Sequence, residues 1–182
     1  GVSENIITAM IKSGFLYKKD ILVNEEAEKQ NITLTKQVEL TDEQQAGANI
    51  LVSKVDNGFS TTLLDGITGS GKTEVYFEAI TKALTLGKQV LVLVPEISLT
   101  SQWLNRFEKR FGVTPFIWHS EVSLKNKAKT WKAVIKGDAK VIVGARSSLF
   151  LPFSDLGIIV VDESHDHSFK QESLVTYQGR DM

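Results

Sequence analysis

The sequence has no cysteine, which removes disulfide scaffolds, thiolate metal sites and cysteine nucleophiles together. That composition fits a reducing cytoplasm. Neither sign of charge is in excess: 21 Lys and Arg face 22 Asp and Glu, a formal charge of −1. A nucleic-acid surface, if there is one, must therefore be local. Long apolar runs are also missing. Val90–Val94 and Gly157–Val161 are of strand length, far below the roughly 20 residues that span a bilayer, so no membrane partner is expected. The N-terminus has no cationic lead followed by an apolar stretch, so it does not read as a secretory signal. With only 3 Pro and 13 Gly, disordered and collagen-like classes are excluded too. What remains is 182 residues, 42% hydrophobic, enough for one domain with a proper core. The chain opens inside a helical pattern and stops at Asp181-Met182 without a closing element, as expected of a piece of a longer protein.

Ile6, Ile7, Met10 and Ile11 lie on one helical face over residues 3–12, with Ser3 as N-cap. Phe15–Tyr17 and Ile21–Val23 then flank Lys18-Lys19-Asp20 as in a hairpin. A helix followed by a hairpin suggests the end of a winged-helix module, though about 30 residues cannot bury enough surface to stand alone. Residues 25–38 are polar and weakly periodic, a linker with at most one helical turn, and the domain boundary falls there.

Beyond residue 39 the pattern alternates: helix 42–56, strand 60–64, helix 72–86, strand 89–94, helix 98–111, strand 115–118, helix 124–136, and strands 139–144 and 157–161. The strands are apolar on consecutive residues, so both faces should be covered by helices. That predicts an α/β fold with a parallel sheet, in which the loops after the strands' carboxyl ends carry the chemistry.

Gly66-Ile67-Thr68-Gly69-Ser70-Gly71-Lys72-Thr73 follows one expected strand and opens a helix, the pattern and context of a phosphate-binding loop. Glycines let successive N–H groups turn inward around phosphate oxygens, and the helix N-terminus adds partial positive charge. Lys72 would reach the β- and γ-phosphates, and the Thr73 hydroxyl would ligand Mg²⁺. Ile158–Val161 would deliver Asp162 and Glu163 beside this loop, Asp162 to hold Mg²⁺ through its water shell and Glu163 to orient the attacking water. The alternative for the carboxylates is a solvated turn.

Thr41 and Gln44 satisfy a capping box, but Gln44 could also read an adenine edge, and the two uses stand level. Pro95, Ser98 and Thr100, and Arg146 and Ser147, follow strand ends on the same rim, where hydroxyls and an Arg suit phosphodiester contact. A Ser98 helix cap and an ion-paired Arg146 explain them equally simply. Arg106–Lys140 holds nine Lys or Arg against three acids, either a nucleic-acid stripe or a solvated helix face. His165 and His167 lack the partners and spacing of a zinc site; His165 suits a hydrogen bond in the nucleotide rim. Phe169 and Tyr177 could stack on bases or pack onto the body.

The stretches Leu64–Tyr76, Leu93–Thr100, Trp118-His119-Ser120, Gly144–Phe150 and Val161–Gln171 together resemble the bacterial replication-restart helicases of the PriA family, also called primosomal protein N′. The resemblance implies a P-loop NTPase (RecA-like) first lobe of a superfamily 2, DEAH-box, 3′-to-5′ DNA helicase over residues 39–182. Residues 1–38 would be a winged-helix remnant and linker. It assigns Gly69, Gly71, Lys72 and Thr73 the Walker A roles and Asp162 and Glu163 those of Walker B, and it shifts Gln44 towards adenine reading. Pro95–Thr100 and Arg146–Leu149 fall where such helicases contact single-stranded DNA, and His167–Tyr177, with Phe169, where an aromatic loop couples DNA contact to hydrolysis. ATP and Mg²⁺ are the implied cofactors, single-stranded and forked DNA, primosome proteins and single-strand-binding proteins the implied partners. Ser164 departs from the family's acidic or small third residue. The second lobe, the arginine finger and a Cys-rich zinc insertion would lie beyond Met182. Open alternatives are an RNA helicase, a restriction translocase, or a DNA-binding module that does not hydrolyse ATP.

Overall fold

The computed structural model describes residues 4–17, 29–34, 38–95, 101–171 and 177–179. Its helices are α1 (Glu4–Lys12), α2 (Asp42–Lys54), α3 (Lys72–Thr85), α4 (Ser101–Phe111) and α5 (Leu124–Lys136). Its strands are β1 (Gln89–Leu93), β2 (Phe116–Trp118), β3 (Val141–Gly144) and β4 (Leu156–Val161), with a short pair β5 (Lys170–Gln171) and β6 (Tyr177–Gln178). The main sheet runs β2-β3-β1-β4 and every pairing in it is parallel.

Consecutive apolar residues on β1 serve two cores. Val90, Val92 and Val94 face α3 and α4, meeting Phe77, Ile80, Trp103, Phe107 and Phe111. Leu91 and Leu93 face the other way, onto Ala133 and Val134 of α5, with Ile142, Leu151 and Phe169. Phe77 is the hub of the first core, edge-on to Trp103, Phe107 and Phe111 at centroid distances of 5.3–6.0 Å. Two ion pairs in matching register clamp α4 to α3: Arg106 to Glu74 at 2.7 Å and Arg110 to Glu78 at 2.5 Å.

Below the sheet, the buried Gln89 amide donates to the carbonyls of Val134 and Ala139 and accepts from Ser154 N, Ser154 Oγ and Asp155 N, at 2.8–3.1 Å. It joins the end of α5 to the turn before β4. A second amide ties the linker down. Gln30 Oε1 accepts from the backbone N–H groups of Lys140 and Val141 at 2.7 and 2.9 Å, and its Nε2 donates to Thr114 O at 2.8 Å. Residues 29–34 thus form a strap across the bottom of β2 and β3, with no helical turn.

The expected strand 60–64 does not form: residues 60–67 take no regular structure, and Leu63 is 82% exposed. Both sides of β1 are occupied by β3 and β4, so the segment could join only at an outer edge, that of β2 or of β4. Among the described residues the β4 edge is unpaired, and Ile159 on β4 is 46% exposed. Ser60-Thr61-Thr62 offers little apolar surface to bury there. At the N-terminus α1 forms as expected, with Ile6, Ile7, Met10 and Ile11 exposed. Phe15–Tyr17 form no strand, and Ser3 and the second hairpin arm, residues 21–23, lie outside the described residues.

Candidate nucleotide site at the start of α3

The loop 66–71 turns directly into α3. Its left-handed glycines are Gly69 (φ +82°) and Gly71 (φ +83°, the N-cap), a backbone region that costs an L-residue about 1–2 kcal/mol. Ser70 N–H donates to Ile67 O at 3.2 Å, closing the turn. Lys72 curls back under it, its Nζ donating to Gly66 O at 2.6 Å and Ile67 O at 3.0 Å. The ammonium therefore lies inside the arch of the loop, at the positive end of α3.

Gln44 does two things at once. Its Oε1 accepts from Thr41 N–H and its own N–H donates to Thr41 Oγ1, the expected capping box. Its Nε2 reaches 26 residues along the chain and donates to Ser70 O at 2.9 Å. The capping box and a contact with the loop therefore coexist, and α2 braces the loop from the side.

Asp162 follows β4 and points back to α3. Its Oδ2 accepts from the Tyr76 hydroxyl at 2.8 Å and its Oδ1 from Glu163 N–H at 3.0 Å. The same Tyr76 hydroxyl accepts from Trp103 Nε1 at 2.8 Å. Burial above all, and then the Asp162 charge, push the Tyr76 phenol far above its ordinary range, so it stays a proton donor to the carboxylate. Thr73 and Asp162, expected to share a metal, thus both lie at Tyr76, Asp162 on its hydroxyl and Thr73 three residues before it on the same helical face. An alcohol and a carboxylate are the hard oxygen donors Mg²⁺ takes, and it commonly uses one or two carboxylates with substrate phosphates. The donor set fits that ion, although among the described residues no cluster of three or more acidic, His or Cys side chains could hold a metal alone.

Glu163 takes a different position. Its backbone is left-handed (φ +50°), and its half-exposed carboxylate lies 3.5 Å from His165 Nε2.

Residues 37–179 match the family described as type III restriction enzyme, res subunit. The chain belongs to that family. It is also 45% identical over 164 residues to the Replication restart protein PriA of Rickettsia conorii, covering 90% of this chain and 24% of that protein. To the PriA of Bacillus subtilis it is 43% identical over 149 residues (81% and 18%), and to that of Chlamydia muridarum 40% over 184 residues (100% and 24%). The chain thus spans about a quarter or less of these relatives. Among solved structures, the Sulfolobus solfataricus SWI2/SNF2 ATPase core in complex with dsDNA aligns with TM-score 0.51 and 20% identity, over 77% of this chain and 28% of that one. That likeness shows the fold, a P-loop ATPase core with a parallel sheet.

In this res-subunit family member the remaining rim residues divide. Pro95 is buried; Ser98 and Thr100 lie outside the described residues. Ser147 is exposed, whereas Arg146 is partly covered, with Gly179 close to its Cγ. Phe169, expected against DNA, is 1% exposed among Leu91, Leu93 and Leu151 and has no ring face left for a base. The side chain of Tyr177 lies outside the described residues. Two of the nine cations in the basic segment, Arg106 and Arg110, pair with α3. No helix among the described residues is long and apolar enough to cross a membrane. Sequence reasoning missed Tyr76 and Trp103, which carry no motif of their own.

Proposed function

We propose that the chain is the ATP-binding lobe of a superfamily 2, DEAH-box DNA helicase that acts 3′ to 5′ in replication restart. The observation that carries this reading is the convergence at the first turn of α3. The Lys72 ammonium lies inside the glycine loop, and Asp162 is hydrogen-bonded to Tyr76 of the same helix that carries Lys72 and Thr73. The likeness to PriA proteins supports the biological setting.

In this reading the loop N–H groups and Lys72 bind and orient the phosphates, while Thr73 and Asp162 hold Mg²⁺. Bound there, Mg²⁺ would neutralise charge on the β- and γ-phosphate oxygens. Both oxygens of Asp162 already accept hydrogen bonds, which suits a carboxylate that meets the ion through water. Glu163 polarises the attacking water, and the left-handed backbone that aims it is the kind of local strain found at working sites. Gln44, fixed between its cap and the loop, reads the adenine edge. Gly66, Thr68 and Ser70 complete the cradle.

DNA contact belongs to Ser147, Arg146, Ser98 and Thr100 on the rim, with single-stranded and forked DNA as ligands. Primosome and single-strand-binding proteins are the proposed partners, and the cytoplasm the proposed location. Residues 39–182 form the motor lobe and 1–38 the winged-helix end with its linker. The family description favours one second reading, a restriction-type translocase.

The test is binding of a fluorescent ATP analogue with Mg²⁺, with and without Lys72→Ala. Loss of the ammonium should weaken binding at least tenfold, the scale of a charge-assisted hydrogen bond. Equal binding by both proteins rules out the phosphate-loop assignment.

A further inference from the structure

Tyr76 belongs by packing to the aromatic core, edge-on to Phe77 at 5.4 Å, and a phenylalanine ring would fill that place equally well. What packing does not explain is the hydroxyl. Burying a hydroxyl costs free energy unless its bonds are satisfied, and here every bond goes to a different element. Its one proton goes to Asp162 Oδ2 at the end of β4, and it accepts from Trp103 Nε1 on α4.

From this junction we infer that Tyr76 is a positioning residue for the Asp162 carboxylate, and that Trp103 fixes this position to the start of α4. The inference rests on the proposed metal-holding role of Asp162. A carboxylate on the short turn after β4 could rotate about its side-chain bonds. A donor at 2.8 Å on one oxygen, with Glu163 N–H on the other, leaves it a single orientation, held against α3. Pre-setting that orientation removes an ordering cost that metal binding would otherwise meet.

Trp103 adds a mechanical link. It is the third residue of α4, so a shift of that helix's first turn would move the indole N–H off Tyr76 and loosen Asp162. The rest of α4 is clamped to α3 by Arg106–Glu74 and Arg110–Glu78. Trp103 is thus the point at which the start of α4 reaches the Asp162 carboxylate, through Tyr76.

The experiment measures, in the full-length protein, the Mg²⁺ concentration giving half-maximal binding of a fluorescent ATP analogue. Binding in EDTA is the reference. Tyr76→Phe should raise the Mg²⁺ requirement roughly tenfold, the scale of one hydrogen bond to a charged group, and leave binding in EDTA within about twofold of the parent. Trp103→Phe, which keeps the ring and removes the N–H, should raise it roughly threefold. An unchanged Mg²⁺ requirement in both variants, while Asp162→Asn raises it, overturns the inference and leaves the metal reading intact. Equal weakening with and without Mg²⁺ assigns Tyr76 a structural role and overturns it as well. If Asp162→Asn itself leaves the requirement unchanged, the metal reading fails and takes the inference with it.

Discussion

Replacing Gly71 by alanine separates two contributions that the loop geometry combines. The first is backbone strain: at φ +83° an alanine costs about 1–2 kcal/mol. The second is a collision, because a Cβ at Gly71 would run into the Gln44 amide nitrogen. Turning that amide away sacrifices its 2.9 Å bond to Ser70 O, about 1 kcal/mol more. Gly69 provides the internal control. Its φ of +82° carries the same strain, but a Cβ there meets nothing within 4 Å. If each substituted loop relaxes, nucleotide binding must restore the strained form and affinity falls by the corresponding factor. Gly69→Ala should therefore weaken binding of a fluorescent ATP analogue roughly 5- to 30-fold and Gly71→Ala roughly 30- to 150-fold, at about 1.4 kcal/mol per tenfold. A double-mutant cycle with Gln44→Ala isolates the collision. The pair should be less damaging than the sum of the singles by about 1 kcal/mol, because a shortened residue 44 no longer obstructs the Cβ. Equal losses at Gly69 and Gly71, or strict additivity in the cycle, would refute the claim that Gln44 braces the loop.

Two further predictions concern the buried amides under the sheet. Gln89→Leu strands the Ala139 carbonyl and two backbone N–H groups in the interior and should destabilise the protein by about 3 kcal/mol or more. For a chain of this size that lowers the thermal midpoint by roughly 6–12 °C, and a calorimetric loss below about 1 kcal/mol would contradict it. Gln30→Ala should speed hydrogen exchange at the amides of Lys140 and Val141, the two that Gln30 Oε1 caps, while exchange at Ile142 stays as it was. Unchanged exchange at all three would mean that the strap does not hold the start of β3.

Much of the fold could be read from local pattern. Val90–Val94 is apolar at every position because even residues meet α3 and α4 and odd ones meet α5, so the run itself reported a sheet covered on both faces. The Thr41–Gln44 box was legible because a capping box is closed by residues three apart. Residues 60–64 were not, since a strand's existence depends on which sheet edge is open. Nothing within Ser60–Leu64 records that β3 and β4 already flank β1. Charge counting failed at Arg106 and Arg110 for the same reason: their partners Glu74 and Glu78 lie 32 residues upstream, outside the window in which the basic excess was counted.

The site shows the same division between local and distant causes. Glycine spacing and a lysine at the helix start are local, and the loop, its left-handed turns and the inward Lys72 follow from them. Asp162 was found because it ends an apolar strand. What fixes Asp162 in place was not legible: the Tyr76 hydroxyl bonds one residue 27 positions away and another 86 away, and neither separation has a period or a spacing rule. The residue has to be aromatic for the core and hydroxylated for the carboxylate, and each demand comes from a different part of the chain. If only the first mattered, Tyr76→Phe would be silent in every measurement, whereas loss confined to the Mg²⁺-dependent part of binding requires the second.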